Sequence, residues 1–387
     1  MYKIKTVNKI ADAGLNVLSS MNLCAGDDIE NPDALLVRSA NLNDEEFHAN
    51  TVAIGRAGAG TNNIPVDKCT LEGIVVFNTP GGNAESVKEL AICALLMASR
   101  DVLGGIEWVR SIAGSGEEIP KMVERGKASF AGSEIAGKTL GVVGLGAVGA
   151  KIANTALSLG MEVYGYDPYI SVDAAWHLSG NVVHAHDIET IFKNCDYITL
   201  HVPYMEATHH MLSTDAFAMM KDGVRIINLA RGELVDDNAL LAALDTAKVS
   251  RYVTDFPNST IAGIHNVVPM PHLGASTHES EEKCAIMAAR QVAVYLESGN
   301  IKNSVNFPTV ELERMGVCRL CVLHMNVPRM ITGFLDLIGG ENINIAHMIN
   351  KPRGEFAYTI IDTDSVINEE IVAAIAGMNE VLRVRIL

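Results

Sequence analysis

The chain has 387 residues, 48% of them hydrophobic and 20% charged, with a formal net charge of −16. That length suits two or three domains, and the acidic balance excludes a surface built for nucleic acid or anionic membrane, which needs a net basic face. Seven scattered cysteines fit a reducing, cytoplasmic setting, and no run reaches the roughly 18 apolar residues of a membrane-spanning helix.

The opening "MYKIKTVNKI" alternates like a strand and lacks a signal-peptide core. "KIKTV", "ALLVRS", "VAIGRAG" and "GIVVFNTP" are strand candidates within residues 1–98, with helices expected between them. Two Gly/Asn-rich loops, "GRAGAGTNNIP" (55–65) and "NTPGGNAES" (78–86), interrupt them. Such loops either expose backbone N–H groups as an anion nest, to which Arg56 adds charge, or are simple turn chemistry. The apolar run "LAICALLMA" (90–98) is bounded by Glu89 and Arg100 and reads as part of a buried helical stretch near 84–110.

Residues 139–275 alternate β-rich runs with helical stretches, the pattern of a parallel sheet with crossover helices. The strand candidates are "TLGVVG", "MEVYGYD", "NVVHAH", "DYITLHV", "VRIINLA" and "RYVTD". In "GVVGLGAVGAKIANTALSLGMEVYGYD", Gly144, Gly146 and Gly149 form G-x-G-x-x-G between a strand and a helix. The first glycine makes the turn, the second admits a pyrophosphate to the backbone, and the third lets helix and strand pack closely. Asp167 ends the next strand, where a carboxylate accepts from a ribose 2′-hydroxyl. Pro168 and Tyr169 follow it, with no arginine for a 2′-phosphate, so the pattern favours NAD over NADP.

"INLARGELVD" sets Arg231 just past a strand end, where ligands of open α/β sheets bind. A guanidinium there either holds a substrate carboxylate and polarises the adjacent carbonyl or makes a surface salt bridge. His272, in "PHLGAST", is a candidate proton acceptor; a core filler or a cap partner is the alternative. From Phe256 to Pro271 there is no Asp or Glu to orient that histidine. A second helical stretch near 276–298 follows. The chain thus leaves one lobe, builds a second and returns.

After residue 316 the order becomes β-α-β-β-α-β in about 70 residues, a ferredoxin-like module. "CRLC" (318–321) lies in a strand-like run, where residues three apart face opposite sides. It has no second pair to make a zinc site, and no other metal site is expected. The fold class expected is therefore α/β: two Rossmann-like lobes with doubly wound parallel sheets, plus a C-terminal ferredoxin-like βαββαβ domain.

Arg231, His272, the glycine fingerprint and the loops "GRAGAGTNNIP", "NTPGGNAES" and "PHLGAST" together resemble the D-isomer-specific 2-hydroxyacid dehydrogenase family over residues 1–306. The last 70 residues resemble an ACT domain, a tail characteristic of the members that act on 3-phosphoglycerate. The resemblance implies a substrate-binding domain of residues 1–98 and 272–306, an NAD-binding domain of 99–271 and an ACT regulatory domain of 316–387. It implies NAD-dependent oxidation of 3-phospho-D-glycerate to 3-phosphohydroxypyruvate, the first committed step of L-serine synthesis, in a homodimer or homotetramer. Glyoxylate/hydroxypyruvate or other 2-ketoacid reduction is the rival activity, and an NAD-sensing binding protein the rival from another class.

By the same resemblance, Arg231 binds the substrate carboxylate and carbonyl, and His272 exchanges the proton. Ala147, Val148 and Asp167 hold the cofactor's phosphates and ribose. Thr79, Leu229, Ala230, Arg231, Asp255 and Gly274 contact its nicotinamide half. Arg38, Arg56, Asn83 and Lys127 are the candidates for the substrate's anionic groups. In the tail, "LHMNVP" and "NINIA" match the effector pattern of serine-inhibited relatives, implying His324, Asn326 and Asn344 as ligands of L-serine; the alternative is an oligomerisation module. Two departures stand out. Relatives often carry Gly where this chain has Arg329. They usually carry a Glu paired with the histidine where this chain has "FPNST", leaving Asn258, Asp255, Glu279 or Glu85 as stand-ins.

Overall fold

The computed structural model describes residues 1–387, apart from the side chain of Asp173. The chain divides into two compact units, residues 1–83 with 278–387 and residues 84–277.

In the first unit, β1 (Lys3–Thr6), β2 (Cys24–Gly26), β3 (Ala34–Val37), β4 (Ala53–Arg56) and β5 (Val75–Phe77) form a parallel sheet in the order β2-β1-β3-β4-β5. β3, "ALLV", is buried at every position, as expected of a parallel strand covered on both faces. β2 has only three residues, Cys24, Ala25 and Gly26, too few to stand out as a strand. Among the described residues no helix lies between β3 and β4. The link, residues 38–52, is polar and has no apolar stripe, so the helix expected there does not form. Helix His278–Ser298 packs on this sheet through Ala285, Ala288, Ala289 and Val292. Gly55 makes room for it, because an added Cβ would meet Val292 at 2.7 Å.

In the second unit, β6 (Thr139–Val143), β7 (Glu162–Tyr166), β8 (Val183–His184), β9 (Tyr197–Leu200), β10 (Val224–Asn228), β11 (Val249–Thr254) and β12 (Val267–Pro269) are all parallel, in the order β12-β11-β10-β9-β6-β7-β8. This doubly wound sheet reverses its order beside β6, the position where such sheets bind ligands. Helix Ala84–Ser99 belongs to this unit rather than with residues 1–83: Ala91, Ala94, Leu95 and Ala98 join Leu140, Val142 and Ile227 in one core. The helical stretch expected over 84–110 is two helices. Asp101 caps the second, Val102–Ser111, by accepting from the Gly104 N–H at 3.3 Å.

The tail comprises β13 (Cys318–Met325), helix Met330–Gly340, β14 (Ile345–Arg353), β15 (Phe356–Thr363), helix Glu369–Ala376 and β16 (Val381–Ile386). Its sheet is antiparallel, ordered β14-β15-β13-β16, which is the ferredoxin-like arrangement. Side-chain alternation sorts β13 between two cores. Cys318, Leu320 and Val322 face the tail's own helices, with Phe334, Ile338 and Ile375. Cys321 and Leu323 face the other way and join Tyr295, Leu296 and Phe307 of the first unit. The two cysteines of "CRLC" thus lie on opposite faces, and the tail shares a core with the lobe that precedes it instead of standing apart.

Arginines line that shared interface. Arg319 is fully buried; it grips Asp362 through Nε (2.6 Å) and Nη2 (2.8 Å) while Nη1 donates to the Ser298 (2.8 Å) and Leu312 (3.0 Å) carbonyls. Arg383 donates to the Glu72 and Thr51 carbonyls, Arg385 to those of Tyr295 and Leu296, and Arg353 to those of Ser304 and Phe307. Tyr358 adds a hydroxyl bond of 2.6 Å to the Gly299 carbonyl.

Candidate active site

The second unit's site is built where strands β6, β7, β10 and β11 end. After β6, Gly144 takes φ 91°, and its absent Cβ avoids the His201 carbonyl. A Cβ on Gly149 would run into the Gly144 carbonyl, so the start of helix Gly149–Ser158 can close onto the turn only as glycine. Gly146 instead has nothing within 4 Å of an added Cβ, leaving the backbone between Leu145 and Val148 open to a ligand. At the end of β7, Asp167 is pinned by two backbone donors: Leu145 N–H to Oδ2 at 2.8 Å and Tyr169 N–H to Oδ1 at 2.9 Å. Each oxygen keeps a lone pair for a further donor.

β10 ends on Asn228, which organises the next three residues. Its Nδ2 donates to the Arg231 carbonyl (2.8 Å) and to the Tyr252 hydroxyl (3.1 Å), and its Oδ1 accepts from the Ala230 N–H (3.1 Å). Leu229 is buried beneath this turn, and Arg231 projects half-buried from it. Burial pushes the Tyr252 phenol up to about 12, which keeps it neutral.

β11 ends on Thr254, and the buried Asp255 follows it. One carboxylate oxygen accepts from the Gly274 N–H at 3.1 Å; the other, Oδ1, is buried and has no partner. Burial raises the Asp255 pKa above the usual carboxylate value, against the opposing pull of the Gly274 N–H and of His272. Ser86 closes the same loop by donating to the Gly274 carbonyl at 2.7 Å. Next along the chain, the Phe256 ring lies 4.5 Å from the His272 ring and 5.6 Å from the Arg231 guanidinium carbon. The structure therefore gathers Arg231, Asp255, Phe256, His272 and Gly274 into one cluster at the strand ends.

The stand-ins for a histidine-orienting acid sort clearly within this unit. Asn258 does not accept from His272. Its amide oxygen takes the Thr260 and Ile261 N–H groups, and its Nδ2 donates to Asp237 at 2.7 Å. Glu85 is committed to Lys151 and Lys88, whose ammonium groups hold its carboxyl down to about 2. Asp255 gives Oδ2 to the Gly274 N–H and leaves Oδ1 without a partner, so it too accepts no hydrogen bond from His272. Lys127 lies exposed in a salt bridge with Glu124.

In the first unit, the loops after β4 and β5 are tied together. The Thr79 N–H donates to the Gly58 carbonyl (3.0 Å), and Asn78 Nδ2 to that of Ala59 (2.6 Å). Thr79 is fully buried and its hydroxyl has no partner. Arg56 and Val37 are register partners, so Arg38 and Arg56 leave neighbouring strand ends. Arg38 pairs with Glu281 at 2.5 Å. Asn83 is half-buried and immediately precedes helix Ala84–Ser99.

In the tail, His324 is 2% exposed and both ring nitrogens are engaged, Nδ1 with the Met325 carbonyl (2.8 Å) and Nε2 with Thr359 Oγ1 (2.9 Å). Its edge-on contact with Phe334 completes a core environment, and burial lowers its pKa. His324 is thus a satisfied core histidine, not an open ligand position. Asn326 donates to the Gly354 carbonyl and Asn344 is exposed. Arg329 caps the following helix with φ 73°, a left-handed conformation that favours glycine.

The residues fit a dinucleotide. The glycine turn, the open backbone at Gly146 and the pinned Asp167 match a pyrophosphate and a ribose. The unpartnered Asp255 Oδ1 offers an acceptor to an amide N–H. Asn228 and Phe256 escape sequence reasoning, although a polar residue closing the apolar "VRIIN" was a usable signal for Asn228. Among the described residues no cluster of His, Cys, Asp and Glu suits a metal ion, and no helix is long and apolar enough to cross a membrane.

Comparison with known proteins is consistent with this geometry. Residues 92–278 match the profile "D-isomer specific 2-hydroxyacid dehydrogenase, NAD binding domain". The D-3-phosphoglycerate dehydrogenase of Haemophilus influenzae is 30% identical over 351 residues, covering 87% of this chain and 81% of the relative. That of Methanocaldococcus jannaschii is 33% identical over 325 residues, covering 82% of this chain and 56% of the relative. The human protein of the same name is 32% identical over 312 residues, covering 77% and 55%. The chain thus spans little more than half the length of several relatives it matches. Among solved structures, an NAD+-bound 3-phosphoglycerate dehydrogenase of Entamoeba histolytica aligns with a TM-score of 0.62 at 24% identity, covering 79% of this chain and 98% of that one. A glyoxylate reductase of Paecilomyes thermophila aligns with a TM-score of 0.65 at 22% identity, covering 79% and 98%. At these identities the structural likeness establishes the fold.

Proposed function

Because the chain belongs to the D-isomer-specific 2-hydroxyacid dehydrogenase family, we propose that it oxidises 3-phospho-D-glycerate to 3-phosphohydroxypyruvate, the first committed step of L-serine synthesis. The observation that carries the chemistry is the cluster of Arg231, Phe256 and His272 at the strand ends of the NAD-binding domain. The relatives named D-3-phosphoglycerate dehydrogenase favour the phosphorylated substrate.

In this reading the Arg231 guanidinium binds the substrate carboxylate and polarises the C2 oxygen. His272 takes the hydroxyl proton as the C2 hydrogen leaves as hydride, and returns it in the reverse direction. NAD, when bound, supplies the hydride acceptor. Gly146, Ala147 and Val148 would hold its pyrophosphate, Asp167 its ribose, and Asp255 its carboxamide, with Thr79, Leu229, Ala230 and Gly274 around the nicotinamide half. Arg38, Arg56 and Asn83 would meet the substrate's anionic groups, with Lys127 as a further cation.

The direct assay is NADH oxidation with phosphohydroxypyruvate, hydroxypyruvate and glyoxylate side by side. The phosphorylated ketoacid should be preferred, and His272→Ala should lose most of the rate, on the order of 10²-fold or more. Equal turnover of all three substrates would replace this reading with a general 2-ketoacid reductase.

We further assign the tail as an ACT domain responsive to L-serine. Asn326 and Asn344 are its candidate ligands, since His324 is engaged internally. Absence of any effect of millimolar serine on the same assay would exclude that control. A cytoplasmic homo-oligomer fits the reading, and Val102, Ile106 and Val109 form an exposed apolar stripe on one helix suited to a second copy.

A further inference from the structure

The His272 imidazole lacks the grip that a catalytic histidine usually has. Among the described residues no side chain takes a hydrogen bond from its ring. Asn258 is spent on Asp237 and on its own turn, and Glu85 on two lysines. Asp255 points inward to the Gly274 N–H. What the ring does touch is Phe256, at 4.5 Å between centroids with 47° between planes. The same phenyl ring lies 5.6 Å from the Arg231 guanidinium carbon, inside the range of a cation–π contact.

Phe256 is itself well held. Its N–H donates to Thr254 Oγ1 at 3.0 Å, and Pro257 follows it, which restricts its backbone to extended conformations. Thr254 is fully buried at the end of β11. Gly232 lies beside the base of the ring, where an added Cβ would stand 3.7 Å from the Phe256 Cβ. A rigid strand end therefore presents one aromatic ring to two charged or chargeable groups that approach from separate loops.

We propose that Phe256 is a positioning residue of this site, one ring that braces both the Arg231 guanidinium, whose Nη1 also donates to the Ala230 carbonyl at 2.6 Å, and the His272 imidazole, which no carboxylate holds. The proposal rests on the assignment of Arg231 and His272 to the hydride-transfer reaction, and it names the group that sets their relative geometry. The π-face attracts the guanidinium electrostatically, and the tilted ring pair restricts rotation of the imidazole. Because Phe256 touches no reacting atom in this scheme, its loss acts on kcat through the two residues it holds and leaves NADH affinity alone.

The experiment compares Phe256→Leu, which keeps apolar bulk, with Phe256→Tyr, which keeps the ring. Phe256→Leu should lower kcat roughly tenfold or more, two contacts each worth a few-fold to about tenfold, with the dissociation constant of NADH unchanged. Phe256→Tyr should recover most of that loss. Matching circular-dichroism melts show that both variants fold.

A second readout does not depend on turnover. In a ¹H–¹³C spectrum of the imidazole groups, the His272 signals, identified by their absence in His272→Gln, should shift in Phe256→Leu as the ring current disappears, and stay close to wild type in Phe256→Tyr. Equal kcat in Phe256→Leu and wild type, equal losses in both variants, or unmoved His272 signals would each overturn the proposal. If wild-type protein turned over no ketoacid, the imidazole spectrum would still decide whether the ring contact exists, separating failure of this inference from failure of the functional assignment.

Discussion

The buried pair of Arg319 and Asp362 gives the most quantitative test of how the tail is held. Arg319→Met keeps the apolar stem and removes all four donated bonds, to Asp362, Ser298 and Leu312. Both side chains of the ion pair are 0% exposed, so water cannot replace the guanidinium. Asp362 then has two options: remain an unpaired buried anion, or take up a proton. Burial on its own raises its pKa, but Arg319 and the Met315 N–H outweigh that and hold it below the usual value.

Protonating a carboxylate of ordinary pKa about 3.9 at pH 7 costs about 3.1 × 1.36, or about 4 kcal/mol. This sets the scale of the charge term and agrees with the roughly 3–5 kcal/mol measured when one member of a buried pair is removed. At pH 5 the same protonation costs only about 1.5 kcal/mol. The wild-type pKa is depressed in the folded state, so its stabilisation is present above the unfolded value and is lost as the pH falls through the folded one. In the variant, Asp362 gains a proton on folding, so the gap to wild type narrows from pH 7 to pH 5. Urea unfolding followed by circular dichroism at both pH values measures this. Replacing both residues, Arg319→Met with Asp362→Leu, should recover about 2 kcal/mol or more of the loss. A penalty below about 1 kcal/mol at pH 7, or one independent of pH, would refute the reasoning.

Two further outcomes follow from particular backbone and side-chain positions. Arg329→Gly relieves a left-handed residue at a helix start (φ 73°) and should raise stability by about 1 kcal/mol, read as a higher urea midpoint. Asp255→Asn removes a buried carboxylate whose folded pKa is raised by burial. The cost of ionising that carboxylate is fully present above its folded pKa and vanishes as the pH falls towards the unfolded value. The variant should therefore melt higher at pH 8, by the equivalent of about 1 kcal/mol, and converge with wild type in acid.

The parts legible in the sequence were those in which local pattern and local chemistry coincide. The run from "TLGVVG" to "GYD" contains a strand, a turn that only glycine can make, a helix and a terminal acid, all within one βαβ unit, and the structure builds that unit with Gly144 at φ 91° and Asp167 at the strand end. The tail's strands and helices were equally readable, because their periods of two and 3.6 are properties of neighbouring residues. The short strands β2 and β12 carried too little pattern to be seen, whereas β5, equally short, is announced by the apolar run "IVVF" around it.

What only the tertiary structure decided is who meets whom over long sequence separations. Asn258 looked like a partner for His272 until Asp237, 21 residues upstream, took its amide. His324 matched an effector pattern, yet Thr359, 35 residues on, and Phe334 enclose it. The alternation of β13 fixed that Cys318 and Cys321 face opposite ways, but not that the Cys321 face would share a core with Tyr295 and Leu296. The physical reason is the same in each case. A side chain's own period says which way it points, whereas its partner is set by chain crossings that no local period encodes. The pairing of Phe256 with both Arg231 and His272 is of this second kind, joining the ends of β10 and β11 to the loop that follows β12.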